Sequence, residues 1–141
     1  FGYCFAPENL MMEFRKVHQF IVFTCNTPIQ HALADYLKEC DDYNELAGFY
    51  KNKRDFFLKQ IKDSKFKFVP SSGSYFQLLD YSAITNEKDT DYAIRLTKEN
   101  GVASIPTSVF YHKPIDNKLL RFCFAKTDDV LKEAAEKLCK I

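Results

Sequence analysis

Leu119-Leu120-Arg121-Phe122-Cys123-Phe124-Ala125 alternates its side chains as a strand with two unlike faces requires. A period of two puts Leu120, Phe122 and Phe124 on one face and Arg121 with Cys123 on the other. The first face is built for a core. The second carries a cation in apolar surroundings, where it must find an anion or reach water, because a buried unpaired charge is costly. The planar guanidinium grips a carboxylate through two parallel hydrogen bonds, which suits it to holding an amino or keto acid. The same geometry also serves a structural ion pair or a surface arginine.

After this strand, Thr127 is placed to cap a helix with Asp128 and Asp129 in its first turn and Lys137 and Lys140 at its end, the charge order that the helix dipole favours. Before it, the turn-rich Lys113-Pro114-Ile115-Asp116-Asn117 leads back to a second expected strand, Ser108 to Tyr111. Asp89 to Asn100 has helical spacing and is closed by Gly101, which takes the left-handed conformation without steric cost. Phe66 to Val69 and Tyr75 to Leu79 alternate as two more strands around the turn Pro70 to Ser74.

Further upstream the pattern is helical. Leu46, Phe49, Tyr50, Phe56, Phe57 and Ile61 form a broad stripe on the longest expected helix, Asp42 to Asp63, which reads as a connecting rod. Thr27 as N-cap and Pro28 at the first helical position open a helix running to about Cys40. Leu10, Phe14, Val17 and Ile21 recur at helical spacing before it, and Phe1 to Ala6 is expected to be a strand. Helices followed by an antiparallel sheet with flanking helices make an α+β body.

The chain has 141 residues, 46% of them hydrophobic and 28% charged, enough for one globular domain or a large piece of one. With 20 basic and 19 acidic side chains, no global field favours nucleic acid or an anionic membrane. Five cysteines without a C-x-x-C pair fit neither a disulfide framework nor a zinc site, so a reducing cytoplasm is expected. No apolar run approaches the roughly 20 residues that span a bilayer. The start lacks an initiator Met, a basic segment and a cleavage site, so residue 1 is expected to lie inside a longer protein.

Other candidates for chemistry are weaker. Pro70-Ser71-Ser72-Gly73-Ser74 lacks the phosphate-loop pattern and no helix follows it, which leaves a structural turn. Lys51 to Lys67 holds seven basic and two acidic residues interleaved with Phe56, Phe57 and Phe66, a composition that could bind nucleic acid if the rings were free. Those rings fall on the apolar stripe, so solvated lysines over buried rings are the expectation. His18, His31 and His112 share no ligand spacing with a cysteine or carboxylate, so no metal site is expected.

Five stretches in their observed order carry a family resemblance: Gly2 to Pro7, Phe14 to Phe20 running into Val22 to Pro28, Pro70 to Phe76, Gly101 to Pro106, and Leu120 to Lys126. Together they resemble the class I/II aminotransferases of the fold type I pyridoxal-phosphate superfamily, most closely the branch of methionine and kynurenine aminotransferases (glutamine transaminase K). The resemblance implies a piece of the large cofactor domain in residues 1–41, and the small C-terminal, substrate-closing domain with its long connecting helix in residues 42–141. It places the lysine that carries pyridoxal phosphate before Phe1, with no catalytic or certain cofactor-binding residue in this chain.

Arg121 is implied to bind the substrate α-carboxylate. The segment matching Val22 to Cys25 is implied to lie at a homodimer interface and to reach the partner's active site. Phe23 occupies an aromatic position there and Thr24 the place where some relatives have a histidine. An aromatic neighbour suits an apolar or aromatic substrate. The implied reaction moves an amino group between an amino acid, methionine-like, aromatic or glutamine-like, and a 2-oxo acid. A β-lyase of the same fold and a non-enzymatic α+β binding module are the alternatives.

Overall fold

Three short strands make the sheet that positions Arg121: β1 (Phe76–Asp80), β2 (Ile105–Pro106) and β3 (Leu119–Cys123). The computed structural model describes residues 2–113 and 115–141. Five α-helices accompany the sheet: α1 (Glu8–Ile21), α2 (Thr27–Glu39), α3 (Leu46–Gln60), α4 (Asp89–Asn100) and α5 (Asp128–Leu138). The chain divides into two compact units, Phe1–Tyr43 and Asn44–Ile141.

In the second unit β3 is the central strand, antiparallel to β1 on one side and to β2 on the other. Leu120 and Phe122 are buried while Arg121 and Cys123 are half-buried, the two-faced pattern expected from the alternation. Gln77 and Leu79 of β1 are buried on the same side. Phe57 and Leu58 of α3, Leu96 of α4 and Leu131 of α5 complete the core, with α3 packed on α5 and α4 on the sheet. The apolar stripe of α3 is therefore buried only along its second half; Leu46 and Phe49 remain exposed.

Gly101 closes α4 with φ 67°, and its N–H donates to the Thr97 carbonyl at 3.1 Å. Other boundaries move for local reasons. Asn26 rather than Thr27 caps α2, its Oδ1 accepting from Ile29 N at 3.1 Å, so Pro28 sits one position deeper in the first turn, where its missing N–H still costs nothing. Thr127 holds the N-cap position of α5 by backbone geometry alone, without a side-chain bond. The stretch Phe66 to Val69 reduces to one bridge, Lys67 to Asp80, because Pro70 has no N–H with which to extend a ladder.

Two expected strands are absent among the described residues. Residues 2–7 form no ladder, since a strand needs a hydrogen-bonded neighbour and the described residues of the first unit offer only helices; Phe1 lies outside the described residues. Ser108 to Tyr111 is largely a 3-10 turn, Thr107–Phe110, and β2 forms just before it. In the expected turn after it, Pro114 lies outside the described residues.

The first unit carries no buried residue in α1 or α2. Leu10, Val17, Phe20 and Ile21 are exposed, Phe20 to 85%. Apolar surface of this kind draws a partner. The 141-residue chain is therefore expected to self-associate in solution, measurable by light scattering across a concentration series. A strict monomer at every concentration would count against this.

Candidate functional site

Period two places Phe76 and Leu78 of β1 on the same face as Arg121 and Cys123 of β3, because Leu78 is the register partner of Arg121 and Phe76 that of Cys123. Ile105 faces Arg121 from β2. The outcome is an apolar sheet face with one cation at its centre. The Arg121 guanidinium carbon lies 4.1 Å from the centroid of the Phe76 ring and 4.8 Å from that of Phe110. Aromatic faces attract a guanidinium and hold its plane, each contact being worth about 0.5–2 kcal/mol according to how much water is excluded.

Among the described residues Arg121 forms no ion pair, and its Nε is buried without a hydrogen-bond partner. Arg54 and Arg95 behave otherwise. Arg54 meets Asp55 at 2.6 Å, and Arg95 meets Glu87 at 2.8 Å and Glu99 at 3.3 Å. Arg95 and Thr85 together hold the Glu87 carboxyl below its ordinary range. The structural ion pair that the sequence left open for Arg121 is thus absent among the described residues. A half-buried guanidinium over two rings, with no carboxylate of the described residues paired to it, keeps its planar donor set free of any internal anion.

The loop that supplies Phe110 is pinned by buried polar groups. Asp89 accepts from Ser108 N and Ser108 Oγ, both at 2.7 Å. Thr107 Oγ donates to the Leu119 carbonyl at 3.1 Å. Lys118 Nζ donates to Asp116 at 2.8 Å and to the Glu87 carbonyl at 2.8 Å, while the Tyr81 hydroxyl donates to that carbonyl at 3.0 Å. Burial first, then the Asp116 and Asp89 charges, push the Tyr81 phenol far above its ordinary range, which keeps it a donor. Burial would raise the Asp116 carboxyl, but hydrogen bonds from Lys118 outweigh it and hold the group below its usual value.

The alternation identified Arg121 but neither of its stacking partners. Phe76 could have been found by pairing its strand with β3, whereas Phe110 was assigned to a strand that does not form. Phe23 and Thr24 lie in the first unit, in the link between α1 and α2. Phe23 is 82% exposed and holds φ 65°, a strained conformation for a residue with a Cβ.

In the turn Pro70 to Ser74 the backbone of Ser71 is engaged internally, while its hydroxyl is buried without a partner. Gln77 Oε1 accepts from Ser71 N at 3.1 Å, Gln77 Nε2 donates to the Val69 carbonyl at 2.9 Å, and Arg54 donates to the Ser71 carbonyl at 2.6 Å. On the basic stretch, Lys51 and Arg54 pair with Asp55 and Lys53 with Asp128, while Phe57 and Phe66 are buried. Those two rings are not free to stack on bases. Among the described residues no cluster of three or more His, Cys, Asp or Glu is placed to share a metal, and no helix is long and apolar enough to cross a membrane.

Comparison with known proteins identifies the family. The sequence profile of the family "Aminotransferase class I and II" matches residues 1–138. A methionine aminotransferase of Escherichia coli (strain K12) is 46% identical over 138 residues, covering 97% of this chain and 36% of the relative. A kynurenine–oxoglutarate transaminase of Dictyostelium discoideum is 33% identical over 162 aligned positions, covering 99% of this chain and 37% of the relative. Among solved structures, the Escherichia coli methionine aminotransferase superposes with a TM-score of 0.89 at 45% identity, over 99% of this chain and 37% of that one. The N-succinyldiaminopimelate aminotransferase of Mycobacterium tuberculosis gives 0.84 at 30% identity, over 96% of this chain and 36% of that one. The chain spans little more than a third of the length of these relatives. With a profile match across residues 1–138 and a relative 46% identical over 97% of this chain's length, the chain belongs to the class I and II aminotransferase family.

Proposed function

We propose that the protein containing this chain moves an amino group between an amino acid and a 2-oxo acid, and that Arg121 binds the α-carboxylate of both. The observation that carries this reading is the Arg121 guanidinium itself, stacked between Phe76 and Phe110, with its Nε buried and unpaired and no carboxylate of the described chain beside it. An amino acid and a 2-oxo acid share one feature, the carboxylate next to the reacting carbon. A fixed two-pronged donor therefore serves both halves of the exchange. The apolar groups around it, Leu78, Ile105 and the two rings, suit a methionine-like or aromatic side chain, with glutamine-like substrates the third class considered.

Aminotransferases of this family use pyridoxal phosphate, which supplies the electron sink for the exchange when bound. The turn Pro70 to Ser74 does not offer its backbone to a phosphate in the manner of a helix-backed cradle. Ser71 N is given to Gln77 and no helix begins after the turn Pro70 to Ser74. No step through the cofactor is assigned to this chain. Arg121 contributes binding and orientation, and the two rings it contacts restrict the plane of its guanidinium.

The same reading makes residues 1–41 part of a large cofactor domain and residues 42–141 the small domain. It also gives Phe23 and Thr24 a place at a homodimer interface near the partner's substrate. The exposed Phe23 ring and its positive φ support a contact role. A cytoplasmic setting fits five cysteines that are all free.

The direct test compares two proteins. The 141-residue chain mixed with pyridoxal phosphate, methionine or phenylalanine, and a 2-oxo acid acceptor is expected to form no new 2-oxo acid above the cofactor-only background. The intact protein is expected to turn over at least one of these donors. Turnover by the 141 residues alone would overturn the division of labour, and an intact protein inert toward every amino acid would overturn the activity.

A further inference from the structure

Arg121 lies over two rings, and the two contacts have different origins. Phe76 belongs to β1 and is held by the ladder to β3. Phe110 belongs to no ladder; it ends the 3-10 turn Thr107–Phe110 and is 58% exposed, so little packing holds its ring. The turn is instead tied at two points. Thr107 Oγ reaches the carbonyl of Leu119, two residues before Arg121, and Ser108 reaches Asp89 with both its backbone N–H and its hydroxyl.

Asp89 is an unusual anchor. It is 1% exposed, it opens α4, and among the described residues it forms no ion pair. The two Ser108 donors are its side-chain hydrogen bonds, with the N-terminal dipole of α4 favouring the negative charge. If packing alone were needed, an apolar residue would avoid the cost of burying a carboxylate. A carboxylate adds two strong, directional bonds to one loop residue. That residue lies two positions from the ring that covers Arg121.

We propose that Asp89 is a positioning residue for Arg121: by fixing Ser108 it sets the Phe110 ring against the guanidinium and holds the fork in one orientation. The inference rests on reading Arg121 as the carboxylate clamp. Without the anchor the turn gains freedom, Phe110 leaves the stack, and the guanidinium samples orientations in which only one of its donors meets the substrate. Binding of the carboxylate suffers first, because the group that Asp89 organises touches substrate and not the reacting bonds.

The test uses the intact protein with Asp89→Ala, Asp89→Asn, Ser108→Ala and Phe110→Ala beside Arg121→Lys. The probe is 4-phenylbutyrate, which has a carboxylate and no amino group, read as an inhibition constant alongside KM and kcat for the amino acid. Asp89→Ala and Phe110→Ala are expected to raise both the inhibition constant and KM about tenfold, in keeping with the cost of misplaced binding groups. Asp89→Asn keeps an acceptor for Ser108 N and an amide that donates to Ser108 Oγ, so it is expected to recover most of that loss. Ser108→Ala, which keeps only the backbone bond, is expected to fall between.

Unchanged inhibition constants in Asp89→Ala and Phe110→Ala, or a loss of folded protein and kcat with KM intact, would overturn the proposal in favour of simple packing. If Asp89→Ala does not fold, Phe110→Ala and Ser108→Ala decide the matter by the same readout. Arg121→Lys separates the two levels. If it weakens the probe while the other variants do not, positioning alone fails; if it leaves the probe unaffected, the clamp reading fails.

Discussion

Arg121→Lys in the intact protein is expected to lower kcat/KM for the amino acid about a hundredfold or more, roughly 3 kcal/mol of lost binding and orientation. Lysine keeps the positive charge and discards the planar fork, so the change separates geometry from charge. It also removes the flat surface that Phe76 and Phe110 cover, and a point charge on a flexible stem is not held between two rings in the same way. Among the described residues no carboxylate pairs with Arg121, so none is left stranded when arginine goes, and the loss is specific to the liganded state. The cofactor's absorbance should be unchanged, since the residue is assigned to substrate. Wild-type kcat/KM in this variant would return Arg121 to a structural role.

Leu120→Ala is expected to destabilise the second unit by about 2–5 kcal/mol, the cost of a cavity at a fully buried aliphatic position. Leu120 is 0% exposed on the middle strand, opposite Leu79 on one side and Pro106 on the other. Its register partners Leu79 and Pro106 are fixed by the strand pairing, which limits how far the site can collapse. Leu78→Ala, on the other face of the neighbouring strand and 43% exposed, should cost about 1 kcal/mol or less. Thermal melting of the 141-residue chain checks the pair, with a drop of more than about 10 °C expected for Leu120→Ala. Equal melting temperatures for the two variants would refute the two-faced sheet.

What could be seen from residues alone was whatever depends on near neighbours. The alternation in Leu119 to Ala125 placed Leu120 and Phe122 in the core and Arg121 on the opposite face. Asp89 to Asn100 with Gly101 behind it specified α4 to the residue, because the stop is a backbone property of glycine. Where two local signals competed, the boundary slipped by a residue, as with Asn26 and Thr27 before Pro28.

Long-range bonds decided the rest. Ser108 to Tyr111 has strand-forming residues, yet Asp89, 19 positions earlier, captures Ser108 and bends the segment into a turn. Gln77 looks misplaced on a core-facing position until its amide is seen holding Val69 and Ser71. The first residues read as a strand, but extended backbone becomes a strand only when another chain segment offers its hydrogen bonds.

The sequence by itself determined where helices form, the two faces of β3 and the single cation set among apolar side chains, since periodicity and capping act within a few residues. The expected helix Asp42 to Asp63 is instead a 3-10 turn, Asp42–Glu45, followed by the shorter α3. Only the tertiary structure decided that Phe76 and Phe110, far apart in the chain, close on Arg121 while no carboxylate among the described residues pairs with it. Stacking and charge pairing depend on which segments meet in space. That meeting is set by the strand order β1-β3-β2 and by one buried aspartate, not by the spacing of residues along the chain.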